Sequence, residues 1–172
     1  MNKKGLIYGL AYSVVVIAFK LFILLGGYSL TSFGFYFSSL TSVLMIIPFY
    51  YLAIKSVRDK DNNGLIGGKE AVRICLTIFA VGAVIISTYN YFEFENSGKA
   101  MAIDYYNSDK FMAFLKSQAK IKAEDYQKII AEQIKASEVS GFKATTGKLF
   151  SFMLIGGISA FITSAAMRKA SK

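Results

Sequence analysis

The chain has 172 residues, of which 54% are hydrophobic and only 18% charged, with one proline, one cysteine and no histidine or tryptophan. Soluble domains carry about 25% charged residues, whereas half of this chain falls in four apolar blocks, each close to the roughly 20 residues that cross a bilayer as a helix. This pattern excludes a soluble enzyme, a secreted disulfide scaffold and, despite a net charge of +9, a nucleic-acid binder.

The expected fold is an all-α membrane protein. Four transmembrane helices and a helical extracytoplasmic insert between helices 3 and 4 form one integral membrane domain over residues 1–172.

The first span is expected at Leu6–Tyr28. Its basic start resembles a signal peptide, but Lys20 interrupts the apolar run and no convincing A-x-A site follows, so it reads as uncleaved. Gly5, Gly9 and Ser13 recur every four residues, a spacing that lets helices approach closely in lipid. Lys20 is costly at this depth and is a functional hypothesis by default. It lies about 9 Å of helical rise from Gly26, so its side chain is expected to snorkel to the outer headgroups. The alternative is a partner at Glu93 or Glu95.

Only Ser29–Ser32 separate the first span from the second, Phe33–Ile54, which predicts a tight antiparallel hairpin. Pro48 should kink that span by removing a backbone donor and freeing the Leu44 carbonyl. The third span is expected at Ala71–Phe92 and the fourth at Leu149–Met167. Cys75, the lone cysteine, reads as a packing residue. Thr77, Ser87, Thr88 and Asn90 give the third span a polar side. Gly156, Ala160 and Ser164 form a second small-residue ladder. Packing inside the bundle is the ordinary role for both ladders, and a homo-oligomer face is the alternative. Tyrosines mark the expected boundaries: Tyr28, Tyr36, Tyr89 and Tyr91 outside, Tyr50 and Tyr51 inside.

The insert, 93–148, is polar and helical in pattern. Asn107 or Ser108 can cap a helix carrying Phe111, Met112, Phe114 and Leu115. A second helix from Glu124 and Asp125 aligns Tyr126, Ile129, Ile130 and Ile134 on one stripe. Gly141 and Gly147 bracket the return to the fourth span. Such a pair folds back on the bundle or lies at the outer interface, or else serves as a docking surface.

Ten cations, Lys3, Lys4, Lys55, Arg58, Lys60, Lys69, Arg73, Arg168, Lys169 and Lys172, fall on one side if the helices alternate. The insert's nine lysines are diluted by eight acids. Short-loop cations mark the cytoplasm, which places both termini there.

Asp59–Glu70 fits the calcium-loop pattern D-x-[DN]-x-[DN]-G-x5-E. Asp59, Asp61, Asn63 and Glu70 would supply side-chain oxygens and Leu65 its carbonyl, with Gly64 at the turn. Against calcium, Lys55 and Arg58 stand where such a loop's entering helix offers apolar packing, and no second loop exists to pair with. The competing reading is a solvated turn, and no other cofactor is expected. Without histidine, and with one buried cysteine, transition-metal sites, histidine acid–base chemistry and Cys–His nucleophiles are excluded. Neither Gly67-Gly68-Lys69-Glu70 nor Gly147-Lys148-Leu149 has the spacing of a phosphate-binding loop.

The stretches Tyr51–Ala71 and Gly157–Lys169, with the long polar helical insert between them, resemble the DUF4199 family. That family consists of small four-span proteins of Bacteroidetes without an assigned activity. The resemblance implies a bacterial inner-membrane location and carries over no catalytic residue. The expected role is a non-catalytic interaction, accessory or homo-oligomeric module in the lipid bilayer, with a membrane-protein partner or its own copies. The rival is a transport or channel component with Lys20 and the polar side of span three lining a path.

Overall fold

The Asn2 side chain accepts a hydrogen bond from the Gly5 amide at 3.1 Å, supplying one of the acceptors that a helix start lacks. From there α1 runs over Lys3–Leu25 and stops where Gly27 turns to φ +70°. In this computed structural model, which describes residues 2–28, 43–119 and 121–168, every regular element with a defined span is a helix. After α1 come α2 (Ile46–Lys60) and α3 (Gly68–Glu93), which continues through a π-helical turn at Phe94–Gly98. Then follow α4 (Lys99–Tyr106), α5 (Asp109–Ser117), a 3-10 turn at Ala123–Asp125, α6 (Tyr126–Ser137) and α7 (Gly141–Met167).

Among the described residues three helical stretches are long and apolar enough to cross a membrane, Lys3–Leu25, Gly68–Tyr106 and Gly141–Met167, where four were expected. Residues 33–42 of the expected second span and the expected hairpin link lie outside the described residues, as does Tyr36. The rest of that span is helical, with the helical pattern broken at Met45. Pro48 falls in the first turn of α2, three residues after that break, and its missing N–H leaves the Leu44 carbonyl without an i+4 donor.

The chain forms two compact units, one of residues 1–89 and 147–172, the other Asn90–Thr146. The boundary falls inside α3 and α7. In the first unit α2 buries Ile46, Tyr50, Ala53, Ile54 and Val57, a helical stripe, against α1, α3 and α7. Four rings, one from each of these helices, meet there. Tyr12 is edge-on to Phe49 at 5.6 Å and stacked with Phe152 at 6.5 Å, and Phe152 stacks on Phe79 at 5.2 Å. Such offset and edge contacts add about 0.5–1.5 kcal/mol each beyond area burial. Gly82 leaves the space that the Tyr12 ring fills, since a β-carbon there would lie 2.7 Å from it.

Both small-residue ladders face α3. A β-carbon on Gly5 would meet Thr77 at 2.9 Å, and one on Gly9 would meet Val81 at 2.9 Å and the Ile78 backbone at 3.2 Å. Ser13 is buried with its hydroxyl donating to the Gly9 carbonyl. On α7, Gly156 admits the Phe79 ring, Ala160 is fully buried and the Ser164 hydroxyl donates to Cys75 Sγ at 3.5 Å. Close backbone approach of this kind maximises dispersion contact where lipid gives no hydrophobic drive between helices. Tyr50, expected at the headgroups, is instead fully buried and donates to the Gly156 carbonyl at 3.1 Å. Its neighbour Tyr51 is exposed with the Lys55 ammonium 6.0 Å over its ring.

The second unit occupies the stretch where the insert was expected. The Ser108 hydroxyl caps α5 by accepting from the Phe111 amide. Phe111 and Leu115 of α5 bury against Ile130 of α6, with Tyr105, Tyr106, Met112, Tyr126, Ile129 and Ile134 around them. Phe114, on the same helix, is half exposed. Glu95 accepts from the Gly141 amide at 2.6 Å, satisfying a first-turn donor of α7. Gly147, expected with Gly141 to bracket the return to the fourth span, lies inside that helix.

Candidate functional site

Two groups of residues stood out by their chemistry, the 59–70 loop and Lys20. Helix α2 continues to Lys60, so the first proposed calcium ligand, Asp59, sits on helical backbone. The chain then leaves the helix through two left-handed residues, Asn63 at φ 49° and Gly64 at φ 85°. Asn tolerates this region better than most residues and Gly enters it freely. Amides of Asp61 and Asn62 donate to the Val57 carbonyl, and that of Gly64 to Arg58 at 2.7 Å, so the turn closes the orphan carbonyls of α2. Ile66 is buried in the core and pins the loop.

The loop's acidic side chains point to different partners. Arg58 Nε donates to Asp59 Oδ1 at 2.6 Å and the guanidinium reaches Oδ2 at 3.3 Å. That hydrogen bond raises the Arg58 pKa above its ordinary value. Lys4 Nζ lies 2.7 Å from Asp61 Oδ2 and also donates to the Ser56 carbonyl. Asn62 Nδ2 donates to Glu70 Oε2 at 2.9 Å. Among the described residues no three His, Cys, Asp or Glu side chains gather as a metal would require. The Arg58–Asp59 adjacency was visible in the sequence. The Lys4–Asp61 pair joins residues 57 apart and carried no local signal.

These contacts bring cations together at one end of the first unit. Lys4 touches the loop after α2, Gly5 packs on Thr77, and Ser164 reaches Cys75 near the start of α3. Lys3, Lys4, Lys55, Arg58, Lys60, Lys69, Arg73 and Arg168 belong to this end. Lys169 and Lys172 lie outside the described residues.

Lys20 does not extend along lipid as expected. It is 7% exposed, on the buried face of α1, with its ammonium 5.8 Å from the Tyr89 ring centroid on α3. A ring face offers a desolvated cation up to about 2 kcal/mol. Of its expected acidic partners, Glu95 is engaged with the Gly141 amide. Two residues on the polar side of α3 turn back on the helix: Thr77 donates to the Arg73 carbonyl and Thr88 to that of Val84, each four residues back.

No curated protein and no solved structure matches the chain. The family model described as a protein of unknown function, DUF4199, matches residues 3–169, nearly the whole length, and the chain belongs to the DUF4199 family.

Proposed function

We propose that the protein is a non-catalytic, four-span module of a bacterial inner membrane, with both termini in the cytoplasm and the unit Asn90–Thr146 presented outside as an interaction surface for a membrane-protein partner or for further copies of the chain. The observation that carries this reading is the second unit itself. It has a core of its own, built on Phe111, Leu115 and Ile130, between two helices of membrane-crossing character. Its charged residues Lys128, Glu132 and Lys135 stay outward, as do the rings of Phe114 and Phe142. A separately packed unit can hold a recognition surface in shape without drawing on the membrane helices. The gathering of cations at one end of the first unit supports a cytoplasmic assignment for that end.

Purification from the native membrane in mild detergent, with mass spectrometry of co-eluting chains and the mass of the intact complex, tests the proposal. A stoichiometric partner or a defined homo-oligomer is expected, dissociated when the exposed side of α6 is reversed in charge. A monomer without partners refutes it. Burial of Lys20 favours one rival, a transport component. Loss of flux through reconstituted vesicles on Lys20→Ala, with assembly unchanged, would establish that rival instead.

A further inference from the structure

One face of α3 is left uncovered among the described residues. Val72, Leu76 and Ala80, spaced along successive turns, line an open groove of about 420 Å³ that Thr77 and Val81 border on the side where α1 packs, and whose N-terminal end carries Lys69 and Arg73. The two cations are one helical turn apart, about 6 Å along the axis. Side chains on a helix lean toward its N-terminus, which sets both charges beyond the apolar strip, toward the end where α3 begins at Gly68. Among the described residues neither Lys69 nor Arg73 has a side-chain hydrogen bond or ion pair. The nearest acid in sequence, Glu70, is turned to Asn62 and does not line the groove.

We propose that this groove is a site for an anionic phospholipid, its phosphate held between Lys69 and Arg73 and an acyl chain lying along Leu76 and Ala80. The inference rests on α3 being a membrane helix. Charge complementarity selects the occupant. Two adjacent cations without counter-charges among the described residues, at the head of an apolar strip, match a molecule with an anionic head and a hydrocarbon tail. A soluble anion would leave the strip uncovered, and an acidic peptide would have to bury polar backbone against it. Each basic residue near a membrane surface favours anionic lipid by about fivefold.

The absence of tryptophan provides the test. Leu76→Trp, exposed in the groove, becomes the sole tryptophan, and Phe161→Trp, exposed on α7 one turn before Ser164, reports from a matching depth because Ser164 touches Cys75. Each protein is reconstituted in phosphatidylcholine with increasing brominated phosphatidylglycerol, and fluorescence quenching gives the relative lipid association. A preference for phosphatidylglycerol over phosphatidylcholine of about fivefold or more is expected at Leu76→Trp and none at Phe161→Trp. Adding K69Q and R73Q should abolish the preference, while K128Q and K135Q, the same change of net charge on α6, should leave it. Equal quenching at both reporters, a preference that survives K69Q/R73Q, or its displacement by millimolar inorganic phosphate would overturn the proposal. If no brominated lipid quenches either reporter, the membrane assignment of α3 itself fails.

Discussion

Replacing Gly9 by alanine puts one methyl group where α1 meets α3. The new carbon would lie 2.9 Å from Val81 Cβ and 3.2 Å from both the Ile78 Cα and carbonyl oxygen. Ordinary carbon–carbon contact is about 3.5–4.0 Å, and all three neighbours are backbone or backbone-proximal, so no rotamer change relieves the clash. The helices must separate by several tenths of an ångström, loosening contacts at Gly5 and Gly82 on the same seam. Overpacking of this kind costs about 1–3 kcal/mol, whereas alanine gains up to about 1 kcal/mol over glycine in a helix. With the middle of the overpacking range, about 2 kcal/mol, the balance is a net loss of about 1 kcal/mol, a fall of about 2–4 °C in melting temperature for a chain of this size. Gly157→Ala is the internal control, because a β-carbon there meets nothing within 4 Å. It should hold or raise the melting temperature. The assay is thermal unfolding in mild detergent by circular dichroism, with the mass of the detergent-free particle measured alongside. Equal stability of Gly9→Ala and wild type, or an equal fall in Gly157→Ala, would refute the packing argument. Unchanged melting with loss of oligomer mass would move the ladder to an interface between copies.

Three further outcomes are expected. Tyr50→Phe removes the hydroxyl that meets the Gly156 carbonyl while keeping the ring, and should cost about 0.5–1.5 kcal/mol in the same unfolding assay; no loss would mean the carbonyl is satisfied without it. Leu115→Ala in the small core of the second unit should cost about 2–5 kcal/mol and make residues 107–137 sensitive to limited proteolysis before the membrane helices unfold. Uniform loss of both would show that the units melt as one. Millimolar calcium should leave the melting temperature unchanged relative to chelator, since Arg58 and Lys4 already hold Asp59 and Asp61. A rise that Glu70→Gln abolishes would restore the calcium reading.

Helix positions were legible because their signals are local. Ser108 announced a cap, Tyr126, Ile129, Ile130 and Ile134 announced a stripe, and apolar length announced the long helices. Non-local placement was not. Tyr50 and Tyr51 are adjacent aromatics beside a helix end, yet one donates to a carbonyl 106 positions away and the other stays exposed. Composition cannot distinguish them, because the difference is made by Tyr12, Phe152 and Gly156 on other helices. The partners of the acids in the 59–70 loop were hidden for a related reason. A ligand pattern counts oxygens along the chain, but α2 extends into the motif and its acids meet cations first. Lys20 was legible as an oddity, and its ring partner on α3 was not.

The pairing of Cys75 with Ser164 makes the protein its own strain gauge. The sole thiol is fully buried where α3 meets α7, so a small alkylating reagent can reach it only when those two helices part. Its labelling rate in the untouched protein, divided by that of a free thiol, gives the equilibrium for that opening directly. A partner, a lipid or a substitution that tightens or loosens this seam would register as a change in one rate constant.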